Sequence, residues 1–430
     1  MSENPATDSG HANRAVADRA GADRLSATPT ARVGAGDAAT DRVGNDQPDS
    51  DSADASKPVL VADSASAEQA AAALRKVRPA LRIGSVSLVL RPVMLGVVLA
   101  LAVAVFVLFC LDIAVGDTHI PLGRVLDVLG GGGTRSQRFI IIESRLPRAL
   151  TAVVVGAALG LSGALMQSIL HNPLAGPDVL GITTGASVGA VAVLVGSGGA
   201  TTGLIATLGT PLAALTGGLL TAVIIYVLAW GRGRGGERGV TGFRLVLIGI
   251  GVNAVLMSVI SWLLTRASLT DAARAQLWLN GSLNAADMSS VVPAMIALSV
   301  VTVVSLVSAR TLAALRLGEE STRVLGVRIQ SQQALLIGAS VVAASVATAA
   351  VGPVGFVALA APQIARMALR TPGEPLIASA LTGAALVAGA DVASRTLLPV
   401  DLPVGIVTAA LGGPFLLYLL VRMNRKATLS

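Results

Sequence analysis

The stretch RLPRALTAVVVGAALGLSGALMQSILHNPLAGPDVLGITTGA, residues 145–186, decides the fold. After Arg148 no charged residue appears until Asp178, and a helix needs only about 20 apolar residues to cross the hydrocarbon of a bilayer. Small residues stand at 156, 157, 158, 160, 162, 163 and 164, which lets neighbouring helix backbones approach closely. Asn172-Pro173-Leu174-Ala175-Gly176-Pro177 then interrupts the helix, because proline lacks the amide hydrogen that a helix interior requires. The stretch therefore reads as a spanning helix, a break and the start of a second apolar helix.

The same spacing of charges extends along the chain. Uncharged runs cover 92–111, 149–177, 179–231, 245–265, 288–309, 329–365, roughly 375–390 and 402–421. Two of these are too long for one helix and are divided by Gly196-Ser197-Gly198-Gly199 and by Gly352-Pro353-Val354-Gly355. The expected fold class is all-α integral membrane with ten transmembrane helices. The breaks around Asn172, Pro173 and Pro177 and around Gly352, Pro353 and Gly355 fall in opposite orientation, as inverted-repeat halves require.

Composition divides at a boundary. Residues 1–74 hold 12 Asp/Glu against 6 Lys/Arg, and the rest 13 against 26, so the net +7 adds an acidic tail to a basic body. The tail has no aromatic residue and too little apolar surface to offset chain entropy. Residues 1–85 are expected to form a disordered cytoplasmic tail, and 86–430 the membrane domain. With both termini cytoplasmic, 18 of the body's 26 positive charges fall inside, in line with the positive-inside rule. Five of the other eight, Arg124, Arg135, Arg138, Arg145 and Arg148, precede the second span. Such an outer cluster calls for a reason.

Two segments differ from ordinary loops. Residues 271–287 mix Leu277, Trp278, Leu279 and Leu283 with polar groups, which suits a helix at the outer interface. Residues 314–332 are long enough for two short helices turning at Gly326 on the inner side.

The chemistry on offer is narrow. One cysteine, three histidines and three lysines exclude an intramolecular disulfide framework and give no metal cluster. No Gly-Lys pair exists for a phosphate-cradling loop, so any ATP must be bound by another subunit. The intramembrane carboxylates weighed for a proton-driven carrier, Asp178 and Asp391, each sit beside a break or helix end. Gly160-Leu161-Ser162-Gly163 has the pattern of a serine nucleophile loop, but the required histidine base has one candidate in the membrane region, His171, nine residues along the same helix. Helix packing is the reading carried forward.

Residues 145–186, LGEE at 317–320, LGV at 325–327, GPVGFVALAAPQIAR at 352–366, GADVASR at 389–395 and LPVGIVTAALGGPFLLYLL at 402–420 together resemble the FecCD permease family. These are the membrane subunits of type II ABC importers for iron–siderophore, haem and cobalamin uptake. Pro362 and Gln363 lie within the matching stretch, Gln363 where many members have histidine. NPLAGPDVLGITTGAS and WLNGSLNA look most like the ferric-enterobactin, or catecholate siderophore, branch. The resemblance implies a permease without enzymatic activity of its own, binding no cofactor and no metal. Its partners would be a second permease subunit (homo- or heterodimer), two cytoplasmic ATPases that use ATP, an external siderophore-binding protein and lipid, with no nucleic acid. It implies docking of that external protein at Arg145, Arg148 and Arg395, because guanidinium grips carboxylate with two parallel bonds. It further implies ATPase coupling through Leu317, Gly318, Glu319, Glu320, Leu325, Gly326 and Arg328. Haem or cobalamin import, and proton-driven secondary transport, are the alternatives.

Overall fold

The computed structural model describes residues 80–83, 86–89, 92–116, 120–196, 209–232, 238–316, 318–324, 326–397 and 401–427. The expected tail, 1–79 in particular, lies outside the described residues, as do Leu317 and Leu325.

Two antiparallel hairpins, β1 (Ala80–Ile83) with β2 (Val86–Val89) and β3 (Trp230–Arg232) with β4 (Arg238–Val240), are the strands among the described residues. The rest is helical. Eight helices are long and apolar enough to cross a membrane. They are α1 (Pro92–Ala114), α4 (Leu146–Leu170), α6 (Thr210–Ala229), α7 (Gly242–Arg266), α9 (Met288–Val307), α12 (Ile329–Val351), α14 (Leu376–Thr396) and α15 (Val404–Ala427). The chain is an all-α integral membrane protein. The remaining two of the ten expected apolar segments form the shorter helices α5 (Ile182–Gly196) and α13 (Val357–Leu369). At 15 and 13 residues they rise about 22 and 20 Å, well under the ~30 Å of hydrocarbon. Each follows a Pro/Gly break, and each is the third apolar helix of its half.

Connecting helices are α2 (Leu122–Leu129), α3 (Arg135–Arg138), α8 (Leu269–Leu279), α10 (Ala309–Leu315) and α11 (Glu319–Val324), with a π-helical turn at Phe139–Arg145 leading into α4. Helix α8 starts earlier and stops sooner than the expected 271–287. Ser268 caps it by accepting from Asp271 N, and Gly281 (φ 66°) turns the chain away. The expected pair of short helices is also displaced. Helix α10 begins at Ala309, Gly318 (φ 97°) makes the turn between α10 and α11, and Gly326 (φ 77°) instead leads into α12.

The centre of the bundle is α4, buried at nearly every position from Thr151 to Ile169, whereas α1 is buried only at Val105 and at its last three residues. The small residues of α4 explain that position. A Cβ on Gly156 would come 2.4 Å from the Gly383 carbonyl oxygen, and at Gly160 and Gly163 the obstructing atoms are the backbone oxygens of Ser379 and Ala358. Backbone therefore lies on backbone between α4 and both α14 and α13. Ser162 is spent within this packing, its hydroxyl 2.8 Å from both Oγ and the carbonyl oxygen of Ser340. His171 instead faces the Leu315 carbonyl oxygen, so the suspected nucleophile and base are held apart by different partners.

Candidate functional site: two charged junctions

The first junction gathers the C-terminal ends of α1 and α14 and the N-terminal end of α4. A helix leaves its last carbonyls without intrahelical donors, and those of α1 form the negative end of its dipole, which favours a cation there. Arg145 Nη1 supplies Ile113 O at 2.9 Å and Ala114 O at 3.2 Å, while Arg395 Nη1 supplies Val115 O at 2.8 Å. Gly116 leaves room for the guanidinium, since a Cβ there would stand 2.6 Å from Arg145 Nη2 unless that side chain shifted.

The same arginines meet two buried carboxylates. Arg148 grips Asp391 with a two-bond fork, Nε to Oδ2 at 2.9 Å and Nη2 to Oδ1 at 2.8 Å. Arg395 Nη2 donates to Asp391 Oδ2 at 2.8 Å and also contacts the Asp112 carboxylate. Asp391 is 0% and Asp112 1% exposed. A buried charge without a partner is costly, and here opposite charges compensate one another. Hydrophobic residues around Ile113, Val125, Val128 and Ile141 enclose one side.

All three arginines that the resemblance assigns to docking lie within this junction. Arg145 is 8% exposed and bonded to helix-end carbonyls. The side chains of Arg148 and Arg395 are 19% and 9% exposed. Their visible work is to fasten α1, α4 and α14 together. Arg124, Arg135 and Arg138 are the exposed arginines of the preceding segment. The pairing also explains why α14 runs to Thr396, past the expected end near 390: Asp391 and Arg395 neutralise one another one turn apart, so charge does not stop the helix.

The second junction lies at the opposite end of α4. His171 (φ 48°) ends that helix, and Asn172 Oδ1 accepts from Leu174 N at 2.9 Å to start the break. Pro177 is buried, and Gly181 (φ 79°) opens α5. The second break matches it in kind. Gly352 (φ 79°) packs where a Cβ would come 2.4 Å from Trp278 O, and Phe356 (φ 65°) precedes α13. Pro353 presses its carbonyl against Gly281, whereas Gly355 has open space around it. Pro362 is buried inside α13. Gln363, also in α13, is buried and donates to Gln167 Oε1, and Gln167 Nε2 donates to Leu359 O at 3.1 Å. An amide pair thus fills this position of the core.

Near it, Glu374 receives Arg366 Nη1 at 3.0 Å and the Ser168 hydroxyl at 3.4 Å. Gly318, Gly326 and Arg328 of the expected coupling set lie in the described turns flanking α11. Glu319 and Glu320 begin α11, with only their backbone described. Sequence reasoning missed Asp112, Arg316 and Glu374. Asp112 and Glu374 stood out only as charges that bound the runs 92–111 and roughly 375–390, which says nothing of their partners.

The sequence model of the FecCD transport family matches residues 103–422. The ferric enterobactin transport system permease protein FepG of Escherichia coli (strain K12) is 38% identical over 312 residues, 72% of this chain and 91% of that protein. The achromobactin transport system permease protein CbrC of Dickeya dadantii (strain 3937) is 38% identical over 338 residues, 77% of this chain and 91% of the relative. The hemin transport system permease protein HmuU of Yersinia pestis is 35% identical over 292 residues, 67% and 84% of the two chains. Among solved structures, an inward-facing metal-chelate type ABC transporter superposes with a TM-score of 0.64 at 23% identity, covering 76% of this chain and 99% of that one. That likeness concerns the fold.

Proposed function

The chain belongs to the FecCD transport family, and from that premise we propose that it is the permease through which a ferric siderophore enters the cell. At the coarser level it is a membrane permease subunit of a metal-chelate type ABC importer. The observation carrying the siderophore reading is the similarity, at 38% identity over nearly the whole relative, to permeases named for ferric enterobactin and achromobactin. Energy would come from two cytoplasmic ATPases, consistent with the lack of a Gly-Lys pair, and substrate from an external binding protein. A second permease subunit would complete the pathway. Haem import is the second reading, favoured by the 35% identity to the hemin permease.

In this reading the α1–α4–α14 junction faces outward and the α10–α11 segment inward. Arg148, the most open of the three buried-junction arginines, offers its outer edge to a carboxylate of the binding protein. Arg395 supports it through their shared Asp391, and Arg145 holds the end of α1 beneath. On the inner side, α10, α11 and the turns at Gly318 and Gly326 meet the ATPase, with Glu319 and Glu320 at the start of α11. ATP-driven closure of the ATPases would displace this segment as a lever and rock the bundle.

The test is uptake of radio-iron by cells deleted for this chain, supplied with a panel of siderophores and with haem. Loss of uptake for one siderophore class, restored by the gene, is expected. Undiminished siderophore uptake together with lost haem uptake would move the assignment to the second reading.

A further inference from the structure

Glu374 sits in the loop between α13 and α14, is 9% exposed, and has no part in the site as read from sequence. Its carboxylate joins two helices, α13 through Arg366 Nη1 at 3.0 Å and α4 through the Ser168 hydroxyl at 3.4 Å. Its backbone carbonyl joins a third, accepting from Arg316 Nη2 at 3.0 Å. Arg316 directly follows α10. Gly373 makes room for this approach, because a Cβ there would stand 2.1 Å from Arg316 Cζ. Pro375 follows at once and caps α14. One residue is thereby bonded to α4, α13 and the end of α10 while lying at the root of α14.

The α10 end is held at a second point, where the Leu315 carbonyl oxygen lies 3.1 Å from His171 Nε2 at the foot of α4. Two fastenings prevent α10 from swivelling about either one. Helix α11 is joined to the same body, since the buried Thr322 places its hydroxyl 2.7 Å from the carbonyl oxygens of both Ala314 and Gly318. The loop is itself braced by Thr371 Oγ1 donating to Gly373 O at 2.9 Å. A charge-assisted bond is stronger than a neutral one, and these bonds are shielded by burial at the Glu374 end, while Arg316 itself is exposed.

We propose that Glu374 is the positioning residue that transmits movement of α10–α11 into α4, α13 and α14. The proposal rests on the reading of α10–α11 as the ATPase-docking segment. The substrate does not touch Glu374; it acts through the helices it joins. Arg366–Glu374 alone would be a simple brace between α13 and its own loop. The bond from Arg316 is what connects that brace to the segment outside the bundle.

The experiment reconstitutes the full complex, permease with its ATPases and binding protein, in proteoliposomes, and measures substrate accumulated per ATP hydrolysed. Glu374→Gln keeps shape and removes charge. It is expected to leave ATP hydrolysis within about twofold of wild type and to lower transport per ATP about tenfold, with Glu374→Asp recovering part of the loss. Arg316→Gln removes the bond to the Glu374 carbonyl from an exposed position outside the core; it should likewise lower transport per ATP and serves if Glu374→Gln fails to fold. An unchanged ratio in Arg316→Gln, or a parallel fall of hydrolysis and transport, overturns the proposal and assigns the cluster a purely structural role. Lack of ATP-dependent transport by the wild-type complex overturns the importer reading as well, and is distinguished by appearing before any substitution.

Discussion

Replacing Asp391 should damage the protein more than replacing either arginine that binds it. Asp391 is fully buried and accepts three charge-assisted bonds, two from Arg148 and one from Arg395. In Asp391→Asn the shape survives, but Arg148 loses its carboxylate partner and Arg395 keeps only that of Asp112. Removing one partner of a buried ion pair costs about 3–5 kcal/mol. Arg148→Met removes two of the three bonds yet leaves Asp391 paired with Arg395, and the Arg148 side chain is 19% exposed, so about 1.5–3 kcal/mol is expected. In the double variant the two effects overlap, giving a coupling of about 1–3 kcal/mol. The assay is thermal unfolding of the detergent-purified chain, where Asp391→Asn should lower the midpoint by about 5–10 °C. Arg148→Met should lower it less, and the double variant by less than the sum. Strict additivity, or a larger effect from Arg148→Met, would refute the view that Asp391 is the shared anchor of α4 and α14.

Further outcomes follow from the same contacts. Arg145→Glu places a carboxylate against the carbonyl oxygens of Ile113 and Ala114 and should reduce the yield of folded protein, measured by gel filtration, whereas a simple docking arginine would tolerate it. Gly163→Ala would drive a Cβ into the backbone of Ala358 and should cost at least about 1–3 kcal/mol, while Gly96→Ala, with open space around it, should leave the unfolding midpoint unchanged. Ser162→Ala should preserve transport, with a stability loss of about 1 kcal/mol for its hydrogen bond; abolished transport in a well-folded variant would restore a chemical role for the hydroxyl. Glu319→Arg with Glu320→Arg should prevent co-purification of the ATPase, and undiminished co-purification would count against α11 as its docking element.

Much of this architecture was legible because it depends on local runs. Distances between charges located the apolar helices, and Pro/Gly clusters at 172–177 and 352–355 located the breaks before α5 and α13. Helix lengths were less legible. Asp112 and Asp391, the charges that bound the uncharged runs, owe much of their neutralisation to distant arginines. Arg395 lies one turn from Asp391 as a local pair, but Arg148 and Asp391 are 243 positions apart and Arg395 and Asp112 are 283 apart. No spacing rule can show such a pairing. The arginines were found, but their burial was not, because an outer position relative to the bilayer does not specify exposure to water. As a junction, Glu374 was invisible for the same reason. Its Ser168 partner is 206 residues away, and nothing local separates it from an ordinary loop acid.

The most direct test of the central claim is transport by the purified complex in sealed proteoliposomes, with ATP and proton gradient varied independently. The account predicts ATP-dependent accumulation of a radio-iron siderophore that requires the ATPases and binding protein and proceeds without a proton gradient. Accumulation by this chain alone, driven by a proton gradient and indifferent to ATP, would contradict it.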